Sequence, residues 1–446
     1  MNLNMIRRLL NQVNKRMRGN SMKYRSNLLS MQFVSREKEL TVRKQKLEKL
    51  LAHCFLNVPY YTQSFSKLGI NNISDIDVTL IERLPILTKN DIKDNFDLLT
   101  SIDINNRKTY KNSTGGSTGE PLVVLQDKDY SDWSEALTSV FHGYAGYNFG
   151  NKVLYLWGSE RDSLYGNETF LENLKRKYRN EKWLNTFKLD NDLIERYLLE
   201  IDRWSPDLII GYADSLFAIA KYAINNKIKL KGRFKVVSSA GTLFPEYRKA
   251  IESVFRGNVY NRYGTRELGN IAFECEQHDG LHISMSTHHV EILSDDGHTL
   301  TEGENGNIVV TTLTNYSMPL LRYKVGDMGV LTKKECRCGR STDRIVDISG
   351  RSSDMIKING GIISPFFIIH LFGVVHNPQW LEKFQVIQKS EKIFIIKLVI
   401  NNDFDKTKVI RETAPITKDL EKVLGLDVNI NYTVVDEIQN TESGKY

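Results

Sequence analysis

The chain has 446 residues, 41% of them apolar and 26% charged, which fits two or three globular domains better than one compact core. Nine prolines, 29 glycines and four cysteines exclude a collagen-like or Pro-rich disordered chain and a disulfide-dense secreted scaffold. The net charge of +7 is uneven, +10 over residues 1–50 and −3 over the rest, so a near-neutral body carries a basic arm and lacks the basic, aromatic-lined groove of a nucleic-acid enzyme.

The arm comes first. Leu3, Ile6, Leu10, Val13 and Met17 recur at steps of three and four, with Arg7, Arg8, Lys15, Arg16 and Arg18 on other faces, which predicts a basic amphipathic helix. Through residues 1–18 such a helix can lie on an anionic membrane surface or dock on a partner, and it can equally pack on its own protein. Asn11-Gln12 interrupts the apolar run at Leu9-Leu10, so no cleaved signal peptide is expected. No run of about 18 apolar residues occurs, which argues against a membrane span. The expected location is the cytosol, peripheral at the membrane if the arm docks there.

A second helix is expected over 36–55, with Leu40, Val42, Leu47, Leu50, Leu51 and Cys54 apolar; Cys54 reads as a core residue. Thr88 is a candidate cap for a helix through Ile92, Phe96 and Leu99. From about residue 110, short apolar runs (Val123–Leu125, Val153–Trp157, Leu208–Ile210, Val236–Val237, Ile308–Thr312) alternate with helical spacings at Leu193, Tyr197 and Ile201 and at Leu216, Ile219, Ala220 and Ala223. That alternation predicts an α/β fold with largely parallel strands. A break near Ser349-Gly350-Arg351 precedes a Gly360-Gly361 turn, strands at Phe384–Ile387 and Ile393–Ile400, a polar helix over 405–424 and a strand Val428–Val435. The expected organisation is an arm (1–35), a large multi-sheet N-terminal domain (36–349) and a smaller, mobile α+β C-terminal domain (350–446).

Five segments carry candidate chemistry. Ser113-Thr114-Gly115-Gly116-Ser117-Thr118-Gly119 offers bare backbone N–H groups and hydroxyls to a polyanion. It is neither a Walker loop nor a dinucleotide fingerprint, and taken alone it also suits a plain flexible turn. Tyr263-Gly264-Thr265-Arg266-Glu267 offers an aromatic for a base and a carboxylate for magnesium. Asp327, after Gly326 at an expected strand end, can accept two hydrogen bonds from ribose hydroxyls, though Gly-Asp is also a common turn. Arg351 lies at the domain break and Lys445 in the polar tail, where a solvated lysine is the plain reading. Separately, Cys336-x-Cys338 together with Cys275 and either His278 or His282 would make a closed, structural Cys₃His zinc site; reduced, metal-free cysteines are the alternative.

Taken in order, these five segments resemble the adenylate-forming superfamily of acyl-CoA synthetases, peptide-synthetase adenylation domains and luciferases. The branch most resembled is that of the phenylacetate–CoA ligases, with its relatives at capsular-polysaccharide loci. Asn57-Val58-Pro59-Tyr60-Tyr61, Pro206–Tyr212, Pro319-Leu320-Leu321-Arg322-Tyr323 and Cys336–Arg340 carry the branch texture, and the resemblance runs from about residue 35 to the end.

The resemblance implies ATP-dependent activation of a carboxylic acid as acyl-AMP, with transfer to coenzyme A after the small domain rotates. It implies that Ser113–Gly119 grip the pyrophosphate, Tyr263, with Gly264 and Thr265, holds the adenine, Glu267 binds magnesium, Asp327 binds ribose with Arg351 in support, and Lys445 meets the α-phosphate. It places Tyr212, Ser239, Ala240 and Gly241 at the acyl pocket and favours His282 over His278 as the zinc ligand. The chain departs from the pattern at Leu122, where many members have Lys, at Ser353 on the hinge, at Gly241, where the branch often shows Glu, and after Lys445, which only Tyr446 follows. The rival functions are an adenylating transferase that acylates an amine or sugar hydroxyl in surface-polysaccharide assembly, and a non-catalytic scaffold relative.

Overall fold

The computed structural model describes residues 19–113, 122–157, 176–349 and 356–438, apart from 178, 187, 359–360, 364–367, 369–370, 377, 379, 402 and 426. The apolar stripe of the arm, residues 3–17, therefore lies outside the described residues. Two compact units are present, one drawn from residues 19–112, 123–149 and 260–349, the other from 113, 122, 150–259 and 356–438.

The first unit is built on an antiparallel sheet. Its strands run in the order His288–Leu293, Asn305–Thr312, Tyr323–Thr332, Arg344–Ser349, Leu281–Ile283, Gly269–Glu274 and Val259–Thr265. The Asn305–Thr312 strand, second from the edge, is buried at every residue but its first. Helix Arg36–Asn57 starts where the Ser35 hydroxyl accepts the Lys38 N–H, satisfying a donor that the first turn leaves open. It buries Leu47, Leu50, Leu51 and Cys54. Thr88 does cap a helix, in a reciprocal box with Asp91, but that helix ends at Asp94 and a separate turn Phe96–Leu99 follows. The described base of the arm, helix Ser21–Met31, lies along helix Lys128–Tyr144. There the Tyr24 ring stacks on Trp133 with centroids 4.0 Å apart, and Arg25 Nε donates to Ser139.

One buried residue of this unit breaks the apolar pattern. Glu39 is 2% exposed, beside Arg43 and Lys46 on its own helix and near Asp343, which pairs with Arg36 at 2.5 Å and Arg43 at 3.7 Å. Burial pushes the Glu39 carboxyl up to about 7, against the pull of Lys46 and Arg43. The unfolded chain gives up this proton at a lower pH, so this group costs the fold stability as pH rises from the ordinary carboxylate range through 7. Glu39→Gln is therefore expected to stabilise the protein more at pH 8 than at pH 5. Urea unfolding at the two pH values checks it, and an equal effect at both rules the account out.

The second unit holds a parallel sheet in the order Lys235–Ser239, Leu208–Tyr212, Val153–Leu156, Glu181–Leu184. Parallel strands need covering crossovers, and helices Asn191–Trp204, Ala213–Asn225 and Pro245–Phe255 supply them. Their inward residues, Ile194, Leu198, Ile201, Leu216, Ile219, Ala220, Ile251 and Phe255, form one core with Leu154, Ile209 and Val236.

The C-terminal part is a hairpin, Leu381–Ser390 with Ile393–Ile400, joined in parallel by Asn429–Val434 and covered by helix Val409–Leu424. Phe372, Phe384, Phe394, Leu398, Ile416 and Leu420 form its own core. Short strand Gly361–Ile363 pairs antiparallel with Ile356–Ile358 on one side and with Lys188–Asp190 on the other, in a separate three-stranded sheet. Among the described residues no helix is long and apolar enough to cross a membrane.

Candidate active site and candidate zinc site

In the first unit two adjacent tyrosine–carboxylate pairs face the same chemistry. Tyr263, on strand Val259–Thr265, donates its hydroxyl to Asp327 Oδ2 at 3.0 Å. Asp327 lies within strand Tyr323–Thr332 rather than at a strand end, and it is presented by a bulge. Lys324 pairs with Val309 and Met328 with Asn307, so Val325-Gly326-Asp327 oppose Ile308 alone. The φ of +92° at Gly326 is the left-handed turn that such a bulge uses. Gly264 answers a different need: a Cβ there would stand 2.3 Å from the Gly269 carbonyl oxygen, so only glycine allows the two strands to come this close.

Glu267 sits on the turn between strands Val259–Thr265 and Gly269–Glu274. Gln126 Nε2 donates to the carbonyls of Arg266 and Glu267 at 3.1 and 3.0 Å, and Asn112 Nδ2 also donates to the Arg266 carbonyl. The Leu268 N–H donates to the Thr265 hydroxyl. The Glu267 carboxylate is 6% exposed, with Oε1 3.1 Å from the hydroxyl of fully buried Tyr323. Within its field stands Tyr130, whose buried hydroxyl has no hydrogen-bond partner among the described residues; burial and the charges of Tyr110 and Glu267 hold its pKa well above the usual phenol range. A buried carboxylate with an orphaned hydroxyl within its field fits a hydrated divalent cation.

The second unit gathers the acyl-pocket candidates on one edge. Tyr212 and Ser239 are register partners at the carboxyl ends of neighbouring parallel strands, where open α/β sheets bind ligands. The Trp157 ring lies 4.2 Å from that of Tyr212. Ala240 adopts a φ of +56°, a strained conformation of the kind that clusters at functional sites. A Cβ at Gly241 would stand 3.4 Å from Asp214 Oδ2, so a glutamate here would bring a second carboxylate against Asp214. Ser113 ends strand Thr109–Ser113, while Thr114–Gly119, Arg351, Ser353 and Lys445 lie outside the described residues.

Cys275, His282, Cys336 and Cys338 converge in the first unit, with all four ligand atoms within 4.8 Å of one another. Cys275 follows strand Gly269–Glu274, His282 lies in Leu281–Ile283, and the other two cysteines lie in the turn before Arg344–Ser349. Tetrahedral zinc, with bonds of about 2.3 Å to sulfur and 2.0 Å to nitrogen, requires S···S near ~3.8 Å and S···N near ~3.6 Å. The Cys275 and Cys336 sulfurs are 3.7 Å apart, and Cys338 Sγ is 3.3 Å from His282 Nε2. His282 Nδ1 meets the Thr342 hydroxyl at 2.9 Å, the outer contact that fixes a ligating ring. Burial, with Arg340 and Arg344 nearby, pushes His282 down to about 3 and so keeps it neutral, the form that binds metal. His278 is turned elsewhere, its Nδ1 3.2 Å from Glu274 and its ring against Tyr260.

Residues 355–446 match the family model of the CapK C-terminal domain. Protein CapK of Staphylococcus aureus is 26% identical over 417 residues, covering 91% of this chain and 87% of that protein. The phenylacetate-coenzyme A ligase of Thermus thermophilus is 25% identical, covering 81% and 80%, and that of Escherichia coli 27%, covering 73% and 74%. Among solved structures, 2-hydroxyisobutyryl-CoA ligase bound to 2-HIB-AMP and CoA superimposes with a TM-score of 0.60 at 17% identity, covering 92% of this chain and 89% of that one. The mixed α/β architecture, with its smaller β-rich C-terminal part, is the fold of that ligase.

Proposed function

We propose that this chain, which belongs to the adenylate-forming superfamily in its phenylacetate–CoA ligase-like branch, activates a carboxylic acid with ATP and passes the acyl group to the thiol of coenzyme A. The observation that carries the reading is the meeting, in one unit, of Tyr263 with Asp327 and of Tyr323 with Glu267. The pairs support reading Tyr263 as the aromatic face for a base, Asp327 as a ribose acceptor and Glu267 as a cation-binding carboxylate.

In the first half-reaction a carboxylate oxygen of the acid attacks the α-phosphorus. The bond from that phosphorus to the bridging oxygen breaks, and pyrophosphate leaves with the electron pair. In the second, the thiolate adds to the acyl carbonyl and AMP departs. Tyr263, with Gly264 and Thr265, holds the adenine, Asp327 accepts from the ribose hydroxyls with Arg351 in support, and Ser113–Gly119 hold the departing phosphates. Glu267 would hold a magnesium ion, which neutralises phosphate charge when bound. Lys445, on the small C-terminal domain of residues 350–446, meets the charge on the α-phosphate. Tyr212, Ser239, Ala240 and Gly241 line the acyl side. Catalysis is then mostly positioning and charge stabilisation, and the zinc is structural.

A panel of carboxylic acids tested for ATP-dependent pyrophosphate release, with hydroxylamine to trap acyl-AMP, checks the first step. Hydroxamate from at least one acid is the expected result, and none from any acid returns the scaffold reading. Adding coenzyme A then separates thioester formation from transfer to an amine or a sugar hydroxyl.

Residues 1–18 have two distinguishable outcomes. If the arm lies on a membrane surface, the full chain sediments with anionic phospholipid vesicles, deletion of residues 1–18 abolishes this, and salt weakens it. If the full chain stays in the supernatant, the arm packs on its own protein.

A further inference from the structure

The chain around Tyr323 is held far more firmly than a strand start requires. The Leu87 N–H donates to the Arg322 carbonyl and the Lys324 N–H to the Leu87 carbonyl, both at 2.9 Å, so the backbone is tied on either side of Tyr323. Arg322, at a φ of +50°, donates its own N–H to the Thr311 hydroxyl. Its guanidinium pairs with Glu291 at 3.0 Å and donates to the carbonyls of Glu82 and Leu84 at 2.7 and 2.8 Å. A ring fixed in this way carries its hydroxyl to one place.

That place is Glu267 Oε1. An ionised carboxylate only accepts, so the phenol donates. The Glu267 backbone is fixed independently by Gln126 and Asn112, as described above. One oxygen is thus engaged and the other is left to serve a ligand, while the Tyr130 hydroxyl, within the field of Glu267, has no hydrogen-bond partner among the described residues.

We propose that Tyr323 is a positioning residue for Glu267: its hydroxyl pins Oε1 and so sets Oε2 as the oxygen presented to the magnesium ion that accompanies ATP. This rests on the assignment of Glu267 as the magnesium-associated carboxylate.

Calorimetric titration of ATP into the full chain, with and without Mg²⁺, gives the factor by which Mg²⁺ tightens ATP. Glu267→Gln is expected to abolish most of that factor. Tyr323→Phe, which keeps the ring and removes one oxygen, is expected to cut it roughly tenfold, since a hydrogen bond to a charged group is lost. ATP affinity of Tyr323→Phe without Mg²⁺ should stay as in the wild type, and Tyr323→Phe should add nothing to the lost Mg²⁺ factor in the Glu267→Gln background. A full Mg²⁺ factor in Tyr323→Phe, with the factor lost in Glu267→Gln, overturns the positioning role alone. A full factor in Glu267→Gln overturns the premise, and no ATP binding by the wild-type chain overturns the proposed function itself. If Tyr323→Phe fails to fold, the double variant should fold again, because it removes the orphaned charge along with its donor; a double variant that stays unfolded also counts against the pairing.

Discussion

Lys445→Ala is expected to slow acyl-AMP formation by about 10²–10³-fold, the usual consequence of losing one electrostatic contact to a transition state, on the order of 2.7–4 kcal/mol. Residues 439–445 around it offer no apolar side chain to a core, so thermal stability should not change. The carry-over from the superfamily has its ammonium meet charge on the α-phosphate during the first half-reaction only. Thioester formation from chemically supplied acyl-AMP should therefore survive in the variant. Two assays on one protein decide the matter. Wild-type adenylation, or equal impairment of both half-reactions, would refute the assignment and favour the scaffold reading.

The second large effect is expected at the cysteine cluster. Protein purified without chelators should carry about one zinc per chain, because three sulfurs and a neutral imidazole already converge within 4.8 Å, with one S···S pair at 3.7 Å and one S···N pair at 3.3 Å. Metal content near zero would eliminate the site. Binding free energy at a structural zinc is folding free energy, and opening a buried, satisfied network typically costs about 3 kcal/mol or more. Cys336→Ser should thus lose the zinc and lower the melting temperature by roughly 6–12 °C. Glu267, Asp327 and Tyr263 remain chemically intact in that variant. At a temperature where it is folded, ATP binding should persist, whereas a site that held a catalytic metal would lose function at every temperature.

Local signals were legible wherever the chemistry is short-range. The Thr88 cap, the buried stripe of helix Arg36–Asn57 and the apolar runs that became parallel strands could all be read from spacing. The Cys-x-Cys pair announced a cluster; spacing alone left His278 and His282 open, the resemblance favoured His282, and His282 is the one that meets the sulfurs. What could not be read depends on partners distant in sequence. Glu39 sits in a helical pattern where nothing nearby marks it for burial, and its neighbour Asp343 comes from the far end of the unit. Tyr323 stood in a recognised motif, yet its bond to Glu267, 56 residues away in sequence, exists only because Leu87 and Arg322 fix the strand between them. Gln126 likewise gives no local sign that it holds the Glu267 turn.

The bulge that presents Asp327 also sets how this part of the chain can change length. Three residues stand against one, an excess of two over regular pairing. Side chains alternate with a period of two, so the excess is even and both halves of strand Tyr323–Thr332 keep the same faces toward the core. Deleting one residue between Lys324 and Met328 would make it odd and turn every side chain from Met328 to Thr332 to the opposite face. Deleting two would restore a regular ladder and remove the projection that carries Asp327. Homologous chains that keep both the sheet and the Asp327 carboxylate are therefore expected to hold this segment at constant length while its side chains vary.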